Sequence, residues 1–132
     1  MRAALVALLA LVFVSGCSDH GDPSALNPAD PVESVSFANE IQPIFDAQCI
    51  GCHGDQGNAG LDLRSGLSYA NLVGVAANAT AGILVVAGDA TSSVIYHRLT
   101  GFQVGFMPPT SQLPISDQEL VAEWINDGAL NN

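Results

Sequence analysis

Apolar side chains along this chain fall into short stripes of helical spacing, separated by stretches rich in glycine, proline and small polar residues. Phe37, Ile41, Ile44, Phe45 and Gln48 recur at helical spacing, the first four as an apolar stripe, and predict a helix that runs into Cys49-Ile50-Gly51-Cys52-His53, ended by Gly54 in the left-handed conformation. Pro43 belongs in its first turn or kinks it, and Asn39 is the candidate N-cap. Leu67, Ala70, Leu72 and Val73 predict a short helix over 65–73 with those side chains inward. Val94, Ile95 and Leu99 predict another over 92–99, capped by Asp89 or Thr91. Ser116-Asp117-Gln118-Glu119 reads as a capping box. It opens a last helix with Leu120, Val121, Trp124 and Ile125 on one face, closed by Gly128. Ile83-Leu84-Val85-Val86 has the composition of a strand, but no second strand is evident to pair with it, so it is read as extended backbone. The pattern is that of a small all-α domain.

The first residues read differently. Met1-Arg2 is a short positive start, and residues 3–14 are unbroken apolar, too short to span a bilayer and suited to a signal peptide. The run ends in Val14-Ser15-Gly16-Cys17, which resembles a bacterial lipobox. Cleavage after residue 16 would make Cys17 the lipidated N-terminus. The alternative is ordinary cleavage nearby, leaving Cys17 as a free thiol, a liability in an oxidising compartment. Ser18 rather than aspartate follows the cysteine, which favours sorting to the outer over the inner membrane. Residues 18–34 hold three prolines and little apolar material and read as a tether, His20 included. Such a tether averages ~20–25 Å in span. The expected organisation is a signal peptide at 1–16, a lipidated cysteine and tether at 17–34, and one folded domain at 35–132.

The domain carries Cys49-Ile50-Gly51-Cys52-His53, a C-x-x-C-H attachment signature for c-type haem. Two thiols three positions apart can each form a thioether to the porphyrin, and the next residue presents an imidazole to the iron. A zinc site would need a second ligand pair, and a thioredoxin-like pair a βαβ setting; neither is evident. For the sixth iron position the candidate is Met107, the single methionine after the leader, placed in Gly-Phe-Met-Pro-Pro where two prolines stiffen an extended loop. Phe102 and Phe106 are candidates to wall that side against water. The other readings are Met107 as core filler, His97 as the ligand, or an open five-coordinate iron. Buried haem propionates would need partners, and Arg64, Arg98, Trp124, Tyr69 and Tyr96 are the candidates.

Thirteen acidic residues stand against three arginines and no lysine. That balance excludes nucleic acid as a partner and suits either a basic docking partner or plain solubility.

With both ligand stretches in view, the chain resembles a monohaem c-type cytochrome of the planctomycete-type cytochrome c domain family. The likeness rests on FANEIQPIFDAQCIGCHG, GLDL, YANLVGV, VVAGDATSSVIYHRLTG, MPP and ISDQELVAEWINDGA, in that order. It departs at Val86-Ala87-Gly88-Asp89, where family members usually show proline before the glycine. The resemblance implies a cytochrome c-like helical fold wrapped around one covalent haem c, with Cys49 and Cys52 as thioether sites, His53 as proximal and Met107 as distal ligand.

The function expected is therefore a one-electron carrier, not an enzyme, held by lipid at a membrane of the bacterial cell envelope and serving redox partner proteins. The terminal helices are expected to cross over one haem edge, and the domain to depend on the haem for its core. The rivals are a gas-binding sensor, in which Met107 dissociates, and a peroxidase, for which no distal His–Arg pair is evident.

Overall fold

Ser36, not Asn39, starts the first helical segment. The computed structural model describes residues 34–55, 57–102 and 104–132. The leader, Cys17 and the tether to residue 33 lie outside the described residues. A π-helical turn, Phe37–Ile41, runs into helix α1, Gln42–Gln48. The Ser36 hydroxyl accepts from the Asn39 N–H at 3.3 Å, and Glu40 Oε2 accepts the Ser36 N–H at 2.7 Å. An N-cap needs extended backbone, which Ser36 has, whereas Asn39 already lies inside the turn. Pro43 falls in the first turn of α1, where its missing N–H leaves no bond unmade.

Helix α2 is only Ser68–Leu72. Leu72 is buried as expected, but Leu67 is 46% exposed and Ala70 is exposed. The inward partner of Leu72 is Ser68, one helical turn away and fully buried. Gln42 of α1 explains this choice. Its amide oxygen accepts the Ser68 hydroxyl, and its NH2 donates to the Leu63 carbonyl at 3.0 Å and to Asp46 Oδ1 at 2.7 Å. A buried polar group must be bonded, and this knot turns Ser68 inward at the expense of Leu67 and Ala70.

The 83–86 stretch is extended and forms no ladder among the described residues. It makes single bridges, Val85 to Val73, Ile83 to Ala76 and Ile83 to Ser93. Val85 is fully buried, and its main chain bonds to the turn after α2, with Val85 N–H to Leu72 O at 3.1 Å and Gly74 N–H to Val85 O at 2.9 Å.

Asp89 then caps a 3-10 turn, Ala90–Ser92, that leads into α3, Val94–Thr100. The carboxylate takes the Ser92 N–H at 3.0 Å and the Ser92 and Thr91 hydroxyls at 2.7 Å each. Those bonds to Ser92 and Thr91 hold its pKa below the ordinary carboxylate value. Gly101 ends α3 in the left-handed region (φ 75°), which only glycine enters without strain.

Helix α4 runs Ile115–Asn126 and starts before the expected capping box. Ser116 therefore sits inside the first turn, and its hydroxyl meets Asp117 instead of an orphan N–H. Buried Gln118 donates to the Leu113 carbonyl at 2.7 Å. Val121, Trp124 and Ile125 are fully buried, and Leu120 is half-buried.

The first helical segment and the C-terminal residues meet around Phe37. Its ring lies 5.1 Å from Trp124, 5.3 Å from Tyr69 and 6.3 Å from Phe45, centre to centre. Asn132 accepts the Ala38 N–H through its main chain and the Phe37 N–H through its side chain, both at 2.9 Å. The domain is thus mostly helical, with a buried core between the first helical segment and α4. Among the described residues no helix is long and apolar enough to cross a membrane.

Candidate functional site

Helix α1 delivers the cysteine pair, but the pair lies beyond its end. Cys49 is the C-cap, and the chain goes on in tight turns, with Cys52 N–H to Cys49 O at 3.0 Å and His53 N–H to Cys49 O at 2.8 Å. Gly54 is not in the left-handed region that was expected of it. It has to be glycine because a Cβ there would stand 2.8 Å from the Ile50 carbonyl oxygen.

The His53 ring is fixed from below. Its Nδ1 lies 3.1 Å from the Asn58 carbonyl oxygen, and an N–H donated there leaves Nε2 as the free electron pair. The Asn58 carbonyl is itself held, because Asn58 N–H bonds to Cys52 O at 3.2 Å. The main chain of the 57–60 turn is thus part of the site, and no side-chain motif advertises it. Next in the chain, Leu63 N–H bonds to the His53 carbonyl at 2.7 Å and draws the Leu61–Leu63 segment over the same space.

That space is an apolar cavity, open to solvent at its mouth. Cys49, His53 and Met107 all line it. Its walls are apolar: Phe45, Leu61, Leu63, Leu84, Ile95 and Leu99. The small side chains of 76–79 close one side, where Asn78 Nδ2 donates to the Ala59 carbonyl at 2.9 Å and ties the two loops together. Cys49 is half-buried, and burial pushes its thiol pKa up to about 11. Cys52 is exposed and is not among the lining residues, so the two thiols have unequal surroundings.

Met107 comes from the far side. Its N–H bonds to the Arg98 carbonyl at 2.7 Å, which docks its loop on the end of α3. The Met107–Pro108 peptide is cis, where an extended run was expected. Phe102 and Phe106 do not wall the cavity: they are 57% and 42% exposed, and Phe102 packs edge-on against His97 at 5.5 Å. His97 also does not line the cavity, and its Nε2 lies 2.8 Å from the Thr91 carbonyl.

Of the candidate partners for carboxylates, Arg98 alone lines the cavity. Arg64 is paired with Asp62 at 2.6 Å on the surface. Trp124 Nε1 donates to the Leu130 carbonyl and the Tyr69 hydroxyl to the Ala129 carbonyl, both at 2.9 Å. Tyr96 also faces elsewhere. The terminal helices meet around Phe37 and Trp124, which do not line the cavity, while Phe45 of α1 does.

Among the described residues no three of His, Cys, Asp and Glu converge to hold a metal ion by themselves. An apolar cleft with a thiol, an imidazole whose second nitrogen is anchored, a thioether and a single guanidinium suits a flat, largely apolar iron macrocycle bearing carboxylates. A small helical domain of this make-up suits a haem of the c type. Residues 49–111 match the family model described as Planctomycete cytochrome C. No curated protein and no solved structure matches the chain. The family implies a covalently bound c-type haem and haem-based electron transfer.

Proposed function

We propose that this protein is a one-electron carrier with a single haem c, joined to Cys49 and Cys52 and ligated by His53 and Met107. The observation that carries this reading is that one apolar cavity gathers Cys49, His53 and Met107 from two distant stretches of the chain, with the His53 ring anchored by the Asn58 carbonyl. The bound haem supplies one reversible electron at its iron. The chain's own residues do the rest. His53 presents Nε2 because Nδ1 is engaged. The leucine and isoleucine walls keep water from the cavity. Arg98 offers the one cationic group among the described lining residues for a haem carboxylate.

In the same reading Cys17 carries the lipid, and the tether lets the domain range over the surface of an envelope membrane, with the outer membrane favoured. The acidic surface suits a redox partner with a basic docking face. The test is the optical spectrum of the purified haem-loaded protein. The wild type shows a thioether–iron charge-transfer band, and Met107→Ala loses it while retaining haem. An unchanged spectrum in Met107→Ala removes Met107 from the iron. Ready binding of carbon monoxide by the reduced wild type supports the gas-sensor alternative instead.

A further inference from the structure

The bonds at the end of α3 give Arg98 a second task beside its charge. Its carbonyl receives the Met107 N–H at 2.7 Å, and its guanidinium Nη1 donates to the Gly105 carbonyl at 3.2 Å. One residue therefore grips the Met107 loop at two points, 105 and 107. Among the described residues the far end of the loop is tied separately, by Gln112 Nε2 donating to the Leu99 and Thr100 carbonyls at 3.4 Å each and by buried Leu113. The loop starts at Gly101, whose left-handed backbone turns the chain off the helix. Both of its phenylalanines are exposed, so neither anchors it by burial. Arg98 is meanwhile fixed at its base, because its neighbour Leu99 is buried in the core and lines the cavity wall. Arg98 also lines that same cavity.

We infer that Arg98 is a positioning residue for Met107: its guanidinium pins the distal loop through Gly105 and so sets how readily the thioether leaves the iron. This rests on the reading of Met107 as distal ligand. The main-chain bond from Met107 to residue 98 survives any substitution there, whereas the bond to Gly105 does not. Lysine keeps the charge but has a single point of donors in place of a planar fork, so it holds the loop less well.

The test is a double-variant cycle on the full-length haem-loaded ferric protein, read as the affinity for imidazole, which must displace the sixth ligand to bind. Arg98→Gln is expected to bind imidazole about tenfold more tightly than the wild type, the factor that follows from losing one charge-assisted hydrogen bond that holds the ligand loop. Arg98→Lys falls between the two, and it carries the same cycle if Arg98→Gln fails to retain haem. In a Met107→Ala background the Arg98 substitutions are expected to change imidazole affinity less than twofold, because no ligand is left to release. An equal gain with and without Met107 shows that Arg98 acts on the pocket directly and overturns the inference. So does wild-type affinity in both single Arg98 variants while Met107→Ala binds tightly. If Met107→Ala itself binds imidazole no better than the wild type, the reading of Met107 as ligand fails, and the inference fails with it.

Discussion

Trp124 and Leu84 are both apolar and both turned inward, yet they meet different surroundings. Trp124 is fully buried among Phe37 and its neighbours, and its indole N–H has found the Leu130 carbonyl. Leu84 is only half-buried, and it faces the cavity together with Leu61 and Leu63. The first region is closed by the protein's own side chains. Among the described residues it leaves no buried side-chain polar atom without a partner. The second opens on the cavity, and beside the helical Phe45, Ile95 and Leu99 its walls come from the 57–63 and 73–86 stretches, whose backbone is held by turns and single bridges. The difference teaches where a haem would complete the domain, on the side of the cavity. The two regions share one buried cluster, since Phe45, Leu63, Leu72, Ile95 and Leu99 belong with Phe37 and Trp124 and also line the cavity, which is where the expected dependence of the core on the porphyrin would act.

The strongest way to break this comparison is to remove the attachment points. In a Cys49→Ser, Cys52→Ser variant without haem, amide hydrogen exchange is expected to stay slow in α1 and α4 and to become fast through 57–86 and 101–113. Uniform loss of protection would mean that the two regions are a single unit. Next in size is Trp124→Ala. Emptying a fully buried indole site costs about 3–5 kcal/mol, read by denaturant unfolding of the haem-loaded protein, with the optical spectrum of the haem unchanged up to the transition. A spectrum altered before unfolding would show that the loss of Trp124 is felt at the cavity through the shared cluster. The smallest effect concerns Asp89. Its carboxyl is held below its ordinary value of 3.8 by Ser92 and Thr91. A lowered folded-state pKa stabilises above the ordinary value and is lost as pH falls through the folded one. The wild type is therefore expected to lose stability more steeply than Asp89→Asn as pH drops below about 4. Parallel acid curves would dismiss the cap as a source of stability.

Much of this division was legible in the chain. The stripe Phe37, Ile41, Phe45 and the set Val121, Trp124, Ile125 announce buried faces, because helical spacing records which side must leave water. Cys49, His53 and Met107 are legible because their chemistry is scarce in this composition. What was hidden is polar and non-local. The Gln42 knot with Ser68 and Leu63 inverts the inward face of α2, and one glutamine in a helix gives no sign of it. The Asn58 carbonyl that orients His53 is main chain, so its role depends on the fold of the 57–60 turn and not on the side chain at 58. Ser116 reads as a cap by composition, yet the helix begins ahead of it at Ile115. Phe102 and Phe106 read as a wall, but the loop after Gly101 turns them to solvent.

The central claim is that Cys49 and Cys52 hold a haem at this cavity. The mass of the mature chain, purified after export from a host with haem-maturation machinery, tests it directly. The account predicts a chain heavier by one haem that survives denaturation and acid–acetone extraction, with the haem-bearing peptide spanning Cys49 to His53. A colourless chain at its bare mass from the same competent host would contradict it.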